Sequence, residues 1–314
     1  IIKMAKLGSV VFRDGNSHTK TVGDVRWNCN GDFLASASFD KTTKIGQLDN
    51  SGNLRPFQTI QRSGNITQAL WHPTETNLIS LLGEEKAVEI WDIRANRTVC
   101  KINSLANNIN ASWSPNGNYI AIGNKNDHLT VLDARAARQL KKLKFNYEIN
   151  ELSWSFNSNY ILIATGGSEM GGVDVVSFDG TDLNQISPTI PAHTSNCYCL
   201  KVDPTYTRMA VGSADFLVSL WDLTDLTCHH TVQTFDSPIR CLAYSSDGER
   251  LAAAAEGNIL YICNSYNGEI ETTVDCRGAL MALSWHPRYD LIAIAPDINS
   301  GDDEGGRHRG QLGD

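Results

Sequence analysis

Along nearly the whole chain, apolar and polar residues alternate for six to eight positions, break at a turn and alternate again, and this unit returns at a near-constant spacing. A large residue marks each copy: Trp27, Trp71, Trp113, Trp154, Val202, Tyr244 and Trp285, separated by 44, 42, 41, 48, 42 and 41 residues. Two positions earlier stands a second apolar side chain, Val25, Ala69, Ala111, Leu152, Leu200, Leu242 or Leu283, and a period of two is the mark of a strand. A turn follows, written NCNG at 28–31, SPNG at 114–117 and SSDG at 245–248, where glycine supplies the positive φ of a tight reversal. The second strand of the hairpin reads FLASAS at 33–38, YIAIG at 119–123, RMAVGS at 208–213 and RLAAAA at 250–255. A third reads AVEIWDI at 87–93, HLTVLDA at 128–134 and LVSLWDL at 217–223, and a more variable fourth lies in each connection, as in RPFQTI at 55–60 and HTVQTF at 230–235.

A four-stranded unit cannot bury both of its faces alone, so the copies must pack against one another, and seven of them close well into a ring. The pattern predicts an all-β chain, a seven-bladed β-propeller spanning residues 1–314 as one domain. A linear solenoid would have shorter coils, and kelch-type blades are disfavoured because the glycine pairs at 166–167, 171–172 and 305–306 do not recur in phase. The seventh copy ends after LIAIA at 291–295, while LGSVVF at 7–12 is an apolar strand without a hairpin partner; the N-terminal strand is expected to close the ring. The Gly/Asp-rich stretch at 296–310 reads as a mobile loop of the last blade.

Composition adds limits. The 314 residues are 41% hydrophobic, enough for a sizeable core, and no run of 18 apolar residues suggests a membrane span. The formal net charge of −8 and a pI of about 5.5 disfavour a general grip on phosphate backbones, so any contact with RNA is expected to be indirect. The densest basic run, Arg135 to Lys144, is read as a solvated connecting edge between two repeats. Eight cysteines show no CxxC pair and sit mostly among apolar residues, which favours buried free thiols, no metal and an intracellular chain.

The pairs Trp91-Asp92 and Trp221-Asp222, each ending a strand of the repeat, resemble the signature of WD-repeat propellers. Three stretches are more discriminating: NINASWSPNGNYIAIGNKND at 108–127, FNYEINELSW at 145–154, and AHTSNCYCLKVDP at 192–204 with GSADFLVSLWDLTDLTC at 212–228. They resemble the WD-repeat subunits of the THO complex, part of the TREX assembly that couples transcription to mRNA export. The resemblance implies a nuclear, non-enzymatic scaffold without cofactor or small-molecule substrate, whose partners are other THO/TREX subunits, above all a large helical one. A WD-repeat adaptor of a ubiquitin ligase or chromatin complex is the alternative.

His193, Ser213 and Asp215 pose a sharper question, because serine, histidine and aspartate together suggest a catalytic triad. No GxSxG elbow is present to expose a nucleophile. The WD-repeat resemblance implies instead that His193, Ser213, Asp215 and Trp221 form a buried hydrogen-bonded tetrad, with no catalytic residue. Asp40 and Glu85 occupy the place of Asp215 in their own repeats and read as turn acceptors. His72 and His286 read as turn residues closing the first hairpin. Side chains at the start of the first strands, Asn65, Asn108, Tyr147, Glu148, Asn196 and Arg240, are the candidate partner-binding rim.

Overall fold

The computed structural model describes residues 2–6, 9–14, 18–104, 107–166, 170–276 and 278–297, and all regular structure among them is β-strand. The chain opens with β1 (Ile2–Lys6) and β2 (Ser9–Asp14), then proceeds in runs of four. The first run is β3 (Val22–Trp27), β4 (Phe33–Ser38), β5 (Thr42–Leu48) and β6 (Leu54–Gln61). The second is β7 (Ile66–Trp71), β8 (Leu78–Gly83), β9 (Ala87–Asp92) and β10 (Arg97–Asn103). The third is β11 (Asn108–Trp113), β12 (Tyr119–Asn124), β13 (His128–Asp133) and β14 (Arg138–Lys144). The fourth is β15 (Glu148–Trp154), β16 (Tyr160–Gly166), β17 (Gly171–Phe178) and β18 (Leu183–His193). The fifth is β19 (Cys197–Val202), β20 (Arg208–Ser213), β21 (Val218–Asp222) and β22 (Thr227–Val232). The sixth is β23 (Ile239–Tyr244), β24 (Arg250–Ala255), β25 (Ile259–Asn264) and β26 (Ile270–Asp275), and β27 (Leu280–Trp285) and β28 (Leu291–Pro296) end the series.

Six sheets each consist of four consecutive strands in antiparallel order, and a further four-stranded sheet has the order β2-β1-β28-β27. In that sheet β1 pairs antiparallel with β28, from Lys3 opposite Ile294 to Lys6 opposite Leu291. The first strands form a cycle of neighbours, β3 to β7, β11, β15, β19, β23 and β27, with β27 beside β3. The structure is thus the all-β propeller that the repeat implies. Of the Gly/Asp-rich stretch, only Pro296 and Asp297 lie within the described residues.

The core is divided among the junctions of this cycle. Seven clusters of buried apolar side chains each draw on two neighbouring sheets; one joins Leu220 and Val218 to Leu242 and Ala253, another Ile79 and Leu81 to Ala35 and Ile45. The repeating anchors sit at these junctions. Trp71 Nε1 donates to the carbonyl of Arg26 at 2.9 Å, Trp154 Nε1 to that of Ser112 at 3.0 Å and Trp285 Nε1 to that of Ala243 at 3.0 Å, each in the preceding sheet. Each indole therefore fills apolar space and satisfies its one donor across the junction.

His72 and His286 do more than close a hairpin. In each ring Nδ1 accepts backbone N–H groups of its own turn, leaving Nε2 to donate to a carbonyl of the neighbouring sheet: Gly117 at 3.0 Å and Gly31 at 2.9 Å. The two receiving glycines have φ of 70° and 77°, and a Cβ there would lie 2.4 Å and 2.3 Å from the imidazole. Turn geometry and close approach both require glycine at these positions.

The basic run also differs from expectation. Arg138 to Lys144 is not a connection but β14, the outermost strand of its sheet, whose charged side chains face solvent on an edge. Such charges discourage pairing with another chain. Of the eight free cysteines, five are buried, Cys100 is half-buried, and Cys29 and Cys228 are exposed.

Candidate functional site

The residues that suggested a triad lie at one end of the sheet β19–β22. His193 ends β18, and 22 residues later Asp215 occupies the turn between β20 and β21; His193 Nδ1 lies 3.1 Å from both carboxylate oxygens. The backbone N–H groups of Thr194 and Leu217 also donate to Asp215, so the carboxylate holds together the two loops that carry the pair. His193 Nε2 meets Ser219 Oγ at 2.8 Å, and Trp221 Nε1 donates to the same oxygen at 2.7 Å. His193 Nε2 also lies 3.2 Å from the carbonyl of Val211, so both ring nitrogens are engaged.

The serine of the tetrad is therefore Ser219 and not Ser213. Ser213 Oγ donates to the carbonyl of Ser195 at 3.1 Å and accepts from the N–H of Asp215 at 3.2 Å, bracing the turn without touching His193. The sheet β3–β6 explains the exchange. There His18 Nδ1 lies 2.9 Å from Asp40 and Nε2 lies 2.7 Å from Ser36 Oγ, while Ser38, the counterpart of Ser213, bonds the carbonyl of Thr21 and the N–H of Asp40. Ser36 is the fourth residue of its strand. The fourth residue of β20 is Val211, and the register places Val211 directly opposite Ser219. The hydroxyl has moved across the hairpin to the paired position.

A third version uses charge. Arg62 lies 23 residues before Glu85 and donates to it, while its Nη1 lies 3.1 Å from Glu89, which faces Leu81 just as Ser219 faces Val211. The guanidinium holds the Glu85 carboxyl down at about 2, against the opposing effect of burial. Burial would raise the Asp40 carboxyl, but hydrogen bonds from Thr42, Thr19 and His18 outweigh it and hold that group at about 2. Burial also pushes the His18 imidazole below its usual range, so it is neutral at pH 7. Asp40 and Glu85 are turn acceptors as expected, but each also closes a clamp.

Ser219, His193 and Asp215 have the linear arrangement of a nucleophile, a base and its orienting acid. They lack what such a set needs, because Ser219 and Trp221 are buried and the hydroxyl is saturated by the indole and the imidazole. Among the described residues, no group of three or more His, Cys, Asp or Glu side chains is placed to hold a metal ion.

The six candidate rim residues are placed at or next to the start of the first strands, at the end of the ring that also carries Asp215, but they are not alike. Arg240 is exposed, bonds Glu256 through Nε at 2.9 Å and lies over the Tyr198 ring at 4.6 Å. Glu148 is exposed, and Asn65 and Asn196 are half-buried. Asn108 is only 2% exposed and donates to Ser104, and the Tyr147 hydroxyl turns inward to the buried Asp174. Neither Asn108 nor the Tyr147 hydroxyl is presented to a partner, which corrects their assignment to the rim. A bulge near the start of every first strand, at Gly23, Thr67, Ile109, Asn150, Tyr198, Arg240 and Met281, underlies this. The inserted residue shifts the alternation by one, so Ile109 stands exposed beside the buried Asn108, which was expected at the rim.

The opposite end of the ring carries the turns that follow the first strands. Between the fourth and fifth sheets it opens into an apolar groove of about 550 Å³, lined by Phe156, Tyr160, Ile186, Tyr206, Leu223 and Leu226 among others. Nothing in the alternation pattern singled out these residues.

Comparisons with known proteins agree with this architecture. The family model for eukaryotic translation initiation factor eIF2A matches residues 23–187, the WD domain G-beta repeat model matches 184–222, and the anaphase-promoting complex subunit 4 WD40 domain model matches 220–288. THO complex subunit 3 of Arabidopsis thaliana is 34% identical over 92% of this chain and 90% of its own length. WD repeat-containing protein AAC3 of Dictyostelium discoideum is 30% identical over 91% of this chain, which spans 63% of that protein. The crystal structure of the Cps50 (Swd1) β-propeller domain of Myceliophteria thermophila superposes with a TM-score of 0.76 at 17% identity, covering 91% of this chain and 95% of that one. The repeat, the inter-sheet tryptophans and these relatives agree: the chain belongs to the WD-repeat β-propeller family and is a homologue of THO complex subunit 3.

Proposed function

We propose that the chain is the WD-repeat scaffold subunit of a THO-type complex, acting in the nucleus without catalysis to support mRNA packaging and export coupled to transcription. The single observation that carries this reading is the relation to THO complex subunit 3, which runs through nine-tenths of both chains. A buried, saturated tetrad in place of an exposed nucleophile supports the absence of chemistry. The partners are the other THO/TREX subunits, with a large helical subunit as the principal one. Asn65, Glu148, Asn196 and Arg240 offer polar contacts on the end of the ring carrying Asp215, and RNA is reached indirectly, as the acidic net charge favours.

The ring counts as seven blades sealed by the N-terminal strands; the pairing of β1 with β28 and the contact of β27 with β3 support this. Purification of the tagged chain from nuclear extract tests the assignment. Recovery of the remaining THO subunits in fixed ratio is the expected result, and recovery of ubiquitin-ligase or chromatin proteins without them assigns the chain to another assembly. Filter binding of the isolated chain to RNA should give only weak, non-saturating retention.

A further inference from the structure

Among the described residues, the first residue of each second strand reaches into the junction between neighbouring sheets. Phe33 stacks on Trp71 of the next sheet at 6.3 Å, and Tyr119 meets Phe178 edge-on at 4.9 Å. Arg208 bonds Ser265 at 2.7 Å and the carbonyl of Gly248 at 2.9 Å, with its guanidinium 3.9 Å from the Tyr266 ring. Leu78 and Leu291 pack against apolar clusters, and Arg250 pairs with Glu271 and Asp290. Tyr160 is the exception, the one exposed member of the seven. The outer part of its junction is the groove, with Phe156 against Tyr206 at 5.5 Å at the mouth and the buried cluster of Leu162, Val173, Leu200 and Met209 beneath. Phe156 is 72% exposed, and Tyr160, Ile186 and Leu226 are exposed around it. Large apolar side chains gathered in one concave site, where the first residue of the second strand is exposed, are the signature of an interaction surface.

Two observations specify the occupant. Ser155 in the lining is already engaged: its Oγ donates to Asn157 Oδ1 at 2.7 Å and accepts the N–H of Tyr160 at 3.0 Å. The lining is mostly apolar, so a segment that satisfies its own N–H and C=O groups, as a helix does, can cover it with an apolar face. The lining holds no charged residue, but the turns at this end of the two sheets carry Asp179, Asp182, Asp222 and Asp225. Among the described residues only Asp182 forms an ion pair, with Lys141. The acidic turns thus complement a basic flank.

We propose that this groove docks the apolar face of an amphipathic α-helix with basic flanks, contributed by another subunit of the assembly. The proposal rests on the scaffold reading above but not on which complex the chain joins. Its test uses two probes. The first is a fluorescein-labelled 18-residue peptide of leucine and lysine patterned as an amphipathic helix, with the leucine/glutamate counterpart as control. The intact chain should bind the basic peptide at least tenfold more tightly than the acidic one, and the Phe156→Ser/Leu226→Ser chain should lose at least tenfold in affinity at an unchanged melting temperature. The second probe is the set of recombinant THO subunits from the same genome, co-expressed with each version and followed by hydrogen exchange across 155–160, 186–190 and 223–226. Protection there, with at least tenfold less complex for the double variant, supports the groove. Equal assembly by both versions overturns the groove and leaves the THO reading standing. No assembly with groove-dependent peptide binding overturns the THO reading and leaves the groove. A dimer of the chain itself that the substitutions dissolve overturns the helical occupant.

Discussion

The two ends of the sheet β19–β22 are opposites. At one end His193, Asp215, Ser219 and Trp221 close a chain of hydrogen bonds that leaves no polar atom of the four seeking a partner. At the other, Tyr206, Leu223 and Leu226 face a groove with apolar surface exposed to water. The residues that looked like chemistry hold the fold, and residues without any chemical signature form the surface that a partner fits. Polar groups in a protein interior are stable only when mutually satisfied, so a complete network has nothing left to offer a ligand. Exposed apolar surface carries the converse signal, since it costs free energy until something covers it.

The largest effect should come from the sheet in which β1 pairs with β28. Deleting residues 1–14 removes β1, which pairs with β28, and β2 beyond it, and the melting temperature should fall by at least about 10 °C, since several kcal/mol are lost at about 2–4 °C each. An unchanged melt overturns the sealing role. Next come the clamps. Asp215→Ala and Ser219→Ala should each destabilise by about 1–3 kcal/mol in denaturant titrations, because each strands buried donors or acceptors. The serine assignment is sharpened by the indole N–H resonance of Trp221, which should shift strongly in Ser219→Ala and remain in place in Ser213→Ala. The reverse pattern restores Ser213 to the tetrad.

Acid separates the clamps from the groove by a smaller amount. The folded Asp40 carboxyl titrates at about 2, below its ordinary value of 3.8, so its contribution is fully present above about pH 4 and is lost as pH falls through 2. Between pH 4 and pH 2 the chain should lose about 1–2 kcal/mol more stability than Asp40→Asn does, a difference allowing for solvent screening of the partly exposed turn. Parallel pH profiles contradict the clamp. The smallest change is expected in the groove, where Phe156→Ser should alter stability by no more than about 0.5 kcal/mol because the ring is largely in water already.

Much of this was legible in the sequence, for identifiable reasons. The spacing of Trp71, Trp113 and Trp154 reports the fold because each indole N–H bonds across to the preceding sheet. FLASAS at 33–38 and RMAVGS at 208–213 coincide with β4 and β20, since a buried second strand is apolar on both faces. His193 and Asp215 were legible because the imidazole and the turn sit a fixed distance apart, as His18 and Asp40 also do. Ser219 was not, because either of two paired strands can supply a hydroxyl to the same imidazole, and sequence order does not say which. Comparing the copies in register carried the clue: Val211 stands where Ser36 does, so the hydroxyl had to come from elsewhere. Asn108 was read as exposed because the pattern does not reveal a bulge. The groove was silent because Phe156 and Leu226 lie in turns, where a single apolar residue is unremarked until the fold gathers them together.

The central claim is that the hydrogen-bonded tetrad serves stability while the apolar groove at the other end of the same sheet serves recognition. Its most direct test measures melting temperature and THO-subunit retention on the same three samples: the unaltered chain, Ser219→Ala and Phe156→Ser/Leu226→Ser. The account predicts that Ser219→Ala melts lower and retains its partners at a temperature where it is folded, while the groove variant melts as the unaltered chain does and loses them at least tenfold. Loss of partners by the folded Ser219→Ala chain, with full retention by the groove variant, would contradict it.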